Sequence, residues 1–267
     1  MTDLTLNDGR SMPALGMGTY QIPDGQVAAI VRAGLDLGFR LVDTAAIYGN
    51  ERGVGDGHKG EEAFVTTKLW NDRHGDVAAA LDESLALLGR DEVDLYLIHW
   101  PVPSEGRAVE AWRALIAARE AGKTRSIGVS NFREEDLDAL VEQTGVVPAV
   151  NQIELHPYFQ QRGLRAAHAR HGIVTQSWSP LGQGGEVLRD PVIARIAASH
   201  GRSPAQVVIA WHLAHGLSVI PKAGDPEHLA DNHAAADLTL SDEDIAAIDA
   251  LDREDGRIGP DPASFGG

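Results

Sequence analysis

Eight short, nearly continuous apolar runs recur along the chain, and the apolar residues between them are spaced as on a helix. The runs are residues 14–19, 40–43, 64–68, 94–99, 126–131, 149–155, 173–178 and 218–222. Such continuous runs are typical of strands that are covered on both faces, whereas half-exposed strands alternate. Most runs follow one another at roughly 25 to 30 residues, which leaves room for the helical crossover that parallel neighbours need.

The segments between the runs carry helix signals. Val27, Ile30 and Val31 share one helical face. The long final crossover is predicted to hold two helices, at about 189–200 and 203–215. Eight strand–helix units indicate an α/β protein, a closed (β/α)8 TIM barrel, and we expect the whole chain to form this one domain.

The domain is expected to cover residues 1–267, but the two ends of the chain are predicted to lie outside the strand–helix repeat. Residues 4–12 are predicted to form a β-hairpin around an Asp8-Gly9 turn, which would plug the bottom of the barrel. The Gly- and Pro-rich tail, residues 255–267, is predicted to be irregular. An open doubly wound sheet would need Gly-x-Gly-x-x-Gly after its first strand, but Gln21 occupies the third glycine position.

The crossover after Tyr48 is unusual because it holds four glycines within eight residues, at positions 53, 55, 57 and 60. Each glycine inside a helix costs about 1 kcal/mol relative to alanine. We therefore predict a short or broken helix and a mobile segment over residues 53–62.

Composition narrows the possible partners. The chain carries a formal net charge of −16 and no cysteine. This charge disfavours nucleic acid and anionic membranes, and the lack of thiols excludes disulfides and zinc–thiolate sites. Because no signal peptide or long apolar stretch is apparent, we expect a cytoplasmic monomer with a small-molecule substrate. The pairs His168/His171 and His212/His215 lack a third ligand, so no metal site is predicted.

Four ionisable residues stand where predicted strands end. Asp43, Lys68 and His99 each close an apolar run, and Tyr48 follows Asp43 in the loop that leaves the same strand. In a parallel barrel all strand C-termini lie at one face, where barrel active sites are built. Any one of these residues alone would more often be structural, but the four together indicate a proton-transfer site.

The chemistry of this set suits carbonyl reduction. Tyr48 is the candidate general acid, although a free phenol titrates near 10. We expect the nearby Lys68 cation to lower that pKa toward neutrality, while Asp43 keeps Lys68 charged. His99 would donate a hydrogen bond to the substrate oxygen. The set would thus protonate a carbonyl oxygen while hydride reaches its carbon.

Motifs around these residues match a known pattern. They are GFRLVDTA at 38–45, YGNE at 48–51, LYLIHWP at 95–101, SIGVSNF at 126–132, NQIELHP at 151–157 and IPK at 220–222. Over essentially its whole length the chain resembles an aldo-keto reductase, of the prokaryotic 2,5-diketo-D-gluconic acid reductase subgroup. The resemblance implies an NAD(P)H-dependent oxidoreductase acting on aldehydes or ketones, with Asp43, Tyr48, Lys68 and His99 as catalytic tetrad.

The resemblance also implies a cofactor-binding surface. Ser130, Asn131 and Gln152 are expected to hydrogen-bond the nicotinamide carboxamide, and Trp178 to stack on the ring. The other implied contacts, at the first strand's exit, beneath the pyrophosphate and at the adenosine end, are Gly18, Thr19, Tyr20, Ser179, Leu181, Gly182, Gln183, Lys222, Ala223, His228 and Asn232.

Two features depart from the family pattern. The crossover after Tyr48 is several residues shorter, and the site for the cofactor's 2′-phosphate is eroded. Ala223 replaces the usual hydroxyl residue, and His228 replaces the usual arginine near the acidic Asp225. A neutral histidine cannot form the bidentate clamp that arginine makes with phosphate. We therefore expect NADP(H) as the family cofactor, with substantial use of NAD(H).

The substrate pocket is predicted to include Tyr20, Ile47, Trp70 and Trp100 together with the C-terminal tail, because aromatic walls around a polar centre suit small carbonyls. Two other functions stay open at this point. A Schiff-base aldolase would use Lys68 as its nucleophile. A non-catalytic regulatory subunit would bind the cofactor without turning over a substrate.

Overall fold

The computed structural model describes residues 2–266, so Met1 and the last residue of the predicted tail, Gly267, lie outside the described residues. The strands are β1 (Asp3–Thr5), β2 (Ser11–Pro13), β3 (Met17–Gly18), β4 (Leu41–Asp43), β5 (Phe64–Leu69), β6 (Val93–Ile98), β7 (Thr124–Ser130), β8 (Val150–Glu154), β9 (Val174–Trp178) and β10 (Ser218–Val219). The α-helices are α1 (Asp24–Leu37), α2 (Glu51–His58), α3 (Val77–Leu88), α4 (Ala108–Glu120), α5 (Glu134–Thr144), α6 (Arg162–His171), α7 (Pro191–His200), α8 (Pro204–Ala214), α9 (Pro226–Ala234) and α10 (Asp242–Asp249).

Strands β3 to β10 form a parallel sheet in chain order. The two ends of this sheet meet through the parallel bridges Leu15–Val219 and Gly18–Lys222, and Gly16 N donates to Val219 O at 2.9 Å. The sheet is therefore closed, with helices on its outside. The predicted (β/α)8 barrel is confirmed, and each predicted apolar run overlaps one barrel strand.

The N-terminal hairpin closes the bottom of the barrel. Strands β1 and β2 pair antiparallel, and Leu6 and Met12 are buried together with apolar side chains of barrel strands β4, β6 and β8. At the start of β7, Ser126 Oγ donates to Asp8 Oδ2 at 2.7 Å. The hairpin thus contacts the N-terminal ends of the strands and leaves the opposite face free for loops, as predicted.

The last crossover holds the two predicted helices, α7 and α8. Helix α8 begins with a capping box in which Ser203 Oγ accepts from Gln206 N, and Pro204 occupies its first position. The tail after α10 contains no regular element as far as Gly266, the last described residue, which agrees with its predicted irregularity.

Helix α2 is short, with eight residues, but it is continuous, so the broken alternative was wrong. Its glycines lie against neighbouring helices. A Cβ on Gly53 would lie 2.3 Å from Asp24 O of α1, and a Cβ on Gly55 would lie 2.6 Å from Leu88 O of α3. Close packing of α2 therefore accounts for the glycines. The mobility of residues 53–62 stays a prediction.

Candidate active site

The four predicted tetrad residues lie together at the C-terminal face of the barrel. Asp43 ends β4, Lys68 lies in β5, His99 follows β6, and Tyr48 ends a single 3-10 turn after β4. Lys68 Nζ donates to Asp43 Oδ1 at 2.6 Å and lies 3.4 Å from Tyr48 Oη. The backbone oxygen of Thr44 accepts a further hydrogen bond from Lys68 Nζ at 2.8 Å. The ammonium is therefore fully coordinated and points at the phenol.

His99 borders the phenol from the neighbouring strand. The ring centroids of His99 and Tyr48 are 5.8 Å apart, edge to face, and the Trp70 ring lies 5.1 Å from that of His99, also edge to face. Within the described residues His99 Nδ1 has no hydrogen-bond partner. His99 is thus held by packing, beside the Tyr48 ring.

Burial dominates the electrostatics of the site. Burial raises the pKa of Tyr48 well above 10, and the Asp43 charge raises it further. The expected lowering of this pKa by Lys68 was therefore wrong. The reason is that burial of the phenol, together with the Asp43 charge, outweighs the attraction of the Lys68 cation for a phenolate.

The same burial shifts the other three groups. Burial lowers the pKa of Lys68 and raises that of Asp43, each against the attraction of its partner. Burial and the Lys68 charge lower the pKa of His99 well below 6.5. Near neutrality the site therefore holds a protonated phenol and a neutral imidazole, and both can donate a hydrogen bond.

A chain of amides inside the barrel fixes Asp43. Gln152 Nε2 donates to Asp43 Oδ2 and to Gln176 Oε1, both at 2.7 Å. Gln176 Nε2 then donates to Ser218 Oγ at 2.9 Å. Gln176 and Ser218 were not predicted from the sequence, although polar residues within strands buried on both faces are a usable signal. This chain leaves Asp43 Oδ1 free to face Lys68.

The predicted nicotinamide contacts form one connected network. Asn131 Nδ2 donates to His99 O and to Ser130 Oγ, both at 3.0 Å. Trp178 Nε1 donates to Asn131 Oδ1 at 2.8 Å, and Ser130 Oγ donates to Gln152 O at 2.8 Å. The structure therefore brings these residues together beside the tetrad and orients the Trp178 indole.

Strained backbone is concentrated at this face. Among the described residues, six that are not glycine have a left-handed φ between 44° and 62°, and all lie in loops that follow barrel strands: Gln21, Val102, Asn131, Gln161, Ser179 and Gln183. A β-branched residue such as Val102 is rarely found there. Such conformations persist where surrounding structure enforces them, commonly at functional sites. Ser179 and Gln183 belong to the predicted pyrophosphate loop, with Leu181 and Gly182 between them.

At the adenosine end the predicted residues lie around β10 and α9. Lys222 is exposed and bridges Gly18, whereas Ala223 and Asn232 are buried. His228 Nδ1 lies 2.6 Å from Asp225 Oδ2, and Asp225 Oδ1 accepts from His228 N as the cap of α9. The imidazole is therefore tied to a carboxylate.

The remaining predicted residues border the tetrad. Thr19 Oγ1 donates to Asp43 O at 3.1 Å. The Tyr20 ring lies 5.1 Å from that of Tyr48, and Ile47, beside Tyr48, is half exposed.

Trp70 and Trp100 converge on a tail residue that was not predicted from the sequence. The Phe265 ring lies 4.5 Å from Trp100 and 6.4 Å from Trp70. A lone aromatic in a Gly- and Pro-rich tail is the signal that could have found it. The tail thus adds an aromatic wall beside the tetrad.

The histidine pairs have ordinary partners. His168 contacts Asn151 and Thr175, and His212 contacts the carbonyls of Val208 and Leu155. The part of the chain from residue 2 to 266 holds no group of three or more His, Asp or Glu placed to bind a metal. No helix among those residues is long and apolar enough to cross a membrane.

Comparison with known proteins decides the family. The aldo/keto reductase family model matches residues 14–253. The chain belongs to the aldo/keto reductase family. An aldo-keto reductase of Mycolicibacterium smegmatis is 49% identical over 98% of this chain and 97% of that protein. The methylglyoxal reductase DkgA of Escherichia coli is 47% identical over 100% and 98%.

Solved structures of known proteins are similar to this chain over most of its length. A mutant of Gox0644 in complex with NADPH is similar with a TM-score of 0.96 and 49% identity, covering 99% of this chain and 98% of that one. A Bombyx mori aldo-keto reductase in complex with NADP has a TM-score of 0.87 and 34% identity, over 94% and 92%. The predicted family and the enzyme class, an NAD(P)H-dependent carbonyl reductase, are confirmed. Neither alternative function gains support, and the Lys68 amine is buried and fully coordinated.

Proposed function

We propose that this aldo-keto reductase reduces small aldehydes and ketones, α-oxoaldehydes among them, with Tyr48 as general acid. The observation that carries the proposal is the buried Lys68–Asp43 pair at 2.6 Å, which places the ammonium 3.4 Å from the Tyr48 hydroxyl. A cation there stabilises the phenolate that forms when Tyr48 gives up its proton.

The roles of the tetrad follow from its protonation states. Protonated Tyr48 donates to the carbonyl oxygen, and neutral His99 donates a second hydrogen bond that orients the substrate. A bound reduced nicotinamide would supply the hydride for the carbonyl carbon, and Tyr48 would give the proton that completes the alcohol. Lys68, itself held in place by Asp43, then stabilises the phenolate until solvent returns its proton. In the oxidation direction Tyr48 acts as general base.

The residues around the tetrad fit a nicotinamide cofactor. Ser130, Asn131 and Gln152 present amide and hydroxyl groups beside the Trp178 indole, and they would hold the carboxamide and the ring. Binding of NADPH is supported by the Gox0644 complex. We also propose use of NADH, because His228 is tied to the Asp225 carboxylate, whose charge would repel a 2′-phosphate.

The substrate class is supported by relatives and by the pocket. Proteins named methylglyoxal reductase are 47% identical over the whole chain. The aromatic wall of Trp70, Trp100 and Phe265 favours compact carbonyl compounds over charged polymers. We further propose that the chain works as a single-domain monomer in the cytoplasm, in keeping with its charge of −16 and its lack of cysteine. Analytical ultracentrifugation tests the monomer.

The decisive experiment follows NADPH and NADH consumption across a panel of aldehydes, ketones and α-dicarbonyls. Tyr48→Phe should lower kcat by about 10²–10⁴-fold while NADPH still quenches tryptophan fluorescence. Tyr96→Phe is the matched control, since the buried Tyr96 hydroxyl has no partner among the described residues and lies outside the tetrad. Full activity of Tyr48→Phe, or trapping of a carbonyl on Lys68 by borohydride, would contradict the proposal.

A further inference from the structure

One buried carboxylate fastens the C-terminal tail to the end of β8. Glu154 is 1% exposed, and its two oxygens accept backbone hydrogen bonds from Ile258 N at 2.7 Å and Gly259 N at 2.8 Å. His156 Nε2 lies 3.1 Å from the oxygen that Ile258 uses. A buried carboxylate is costly unless it is hydrogen-bonded, and here tail backbone supplies two of its three partners.

The tail passes this carboxylate with no space to spare. A Cβ on Gly259 would lie 2.4 Å from Trp178 Cη2 and 2.8 Å from Glu154 Oε2. Glycine is therefore required at this point for the backbone to reach both the carboxylate and the indole. The contact is specific to one register of the tail, because a shift by one residue would bring a side chain into this gap.

The tail before this point lies along the loop that follows β8. Arg253 stacks on the Tyr158 ring at 4.0 Å, and Arg257 stacks on Phe159 at 4.6 Å. These cation–π contacts lie near the surface. Arg253 N also donates to Tyr158 O at 3.2 Å, and Gly256 packs against the same carbonyl. Glu154 supplies a buried, directional attachment closer in sequence to Phe265.

The tail beyond this point reaches the substrate pocket. Phe265 lies 4.5 Å from Trp100, and Trp70 lies between Phe265 and His99. Only five residues separate Gly259 from Phe265, so fixing the backbone at Gly259 restricts the positions that Phe265 can reach. Glu154 itself makes no hydrogen bond to any tetrad residue.

We infer that Glu154 is a positioning residue for carbonyl reduction, which acts by fixing Ile258 and Gly259 and thereby holding Phe265 as a wall of the substrate pocket. The inference rests on the proposed function. Glu154→Gln replaces one acceptor oxygen with an amide that faces a backbone N–H. The tail should then detach more often, and the KM for carbonyl substrates should rise by about 10-fold or more, since hydrogen bonds to charged groups are the stronger ones. The kcat should stay within about 3-fold, because the tetrad is unchanged.

Two readouts separate this role from general stability. Trypsin should cleave folded Glu154→Gln faster after Arg253 and Arg257, at a temperature where its near-UV circular dichroism matches the wild type. Phe265→Ala should raise KM similarly, and the double variant Glu154→Gln/Phe265→Ala should add little, because both changes remove the same wall.

A second variant changes the tail side of the same contact and leaves the Glu154 side chain intact. Gly259→Ala should reproduce the rise in KM and the faster cleavage, whereas Gly163→Ala, where a Cβ meets nothing within 4 Å, should change neither. If Glu154→Gln does not fold, Gly259→Ala decides the question. Folded variants with wild-type KM and wild-type cleavage would overturn the inference. A wild-type protein that reduces no carbonyl would instead refute the proposed function, and the two failures are thus distinguishable.

Discussion

Lys68 Nζ lies 2.6 Å from Asp43 Oδ1 in an ion pair whose side chains are almost completely buried, at 0% and 2% exposure. Two charges in such a place cost free energy to desolvate, and their attraction offsets that cost only with good geometry and further hydrogen bonds. Both conditions hold. Thr44 O accepts a further hydrogen bond from Lys68 Nζ, and Gln152 Nε2 donates one to Asp43 Oδ2. The pair therefore holds the Lys68 ammonium rigidly in place beside the Tyr48 hydroxyl.

Asp43→Asn should be strongly destabilising, because it leaves the Lys68 charge buried without its partner. We expect a loss of about 3–5 kcal/mol in the free energy of unfolding, measured by urea denaturation. Asp82→Asn removes one partner of the more exposed Asp82–Lys123 pair and should cost no more than about 1 kcal/mol. Equal effects of the two substitutions would contradict this account of the buried pair.

The convergence of the tetrad could be predicted from sequence because two local signals suffice for it. A polar residue at the end of an apolar run marks the end of a strand, and a parallel barrel directs all such ends to one face. The sign of the Tyr48 pKa shift could not be predicted in this way. The sign depends on how deeply the Tyr48 hydroxyl is buried and on the Asp43 charge near it, and both are properties of packing.

The pH dependence of reduction should reflect these protonation states. Since the pKa of Tyr48 is raised, rising pH removes its proton only far above neutrality, and since the pKa of His99 is lowered, falling pH charges it only well below 6.5. We expect kcat/KM for reduction to be flat from about pH 6 to about pH 8. Alcohol oxidation should rise across the same range, because it needs the phenolate. An inflection near 6.5 that disappears in His99→Gln would contradict the neutral imidazole.

The glycines of α2 offer a prediction whose sign decides between two explanations. If they only loosen the helix, alanine at position 55 should stabilise it by up to about 1 kcal/mol. The structure favours the opposite result, since a Cβ there would lie 2.6 Å from Leu88 O. We expect Gly55→Ala to destabilise the protein by about 1–3 kcal/mol, measured by thermal and urea unfolding.

Gly25 is the matched control, because it also lies in a helix, α1, and a Cβ there would meet nothing within 4 Å. Gly25→Ala should be neutral or stabilising. Hydrogen exchange over residues 53–62 separately tests their mobility. Helix propensity alone led to the broken alternative for α2 because the sequence does not show that Gly53 and Gly55 touch the backbone of other helices.

Cofactor preference should depend on Asp225 and His228. His228→Arg restores a bidentate phosphate ligand, and Asp225→Ser removes a negative charge while keeping a side chain that can cap α9. We expect the first change to raise the ratio of kcat/KM for NADPH over NADH by about 10–100-fold, and the second to raise it by less. His171→Arg is the matched control, because His171 lies on α6, away from α9, and is likewise paired with an aspartate, Asp138.

Two results would contradict this account of cofactor selectivity. A wild-type preference for NADPH above about 10³-fold, equivalent to about 4 kcal/mol, would contradict the predicted use of NADH. An unchanged ratio in both variants would show that the phosphate is recognised by other residues, so that the tie between His228 and Asp225 has no part in selectivity.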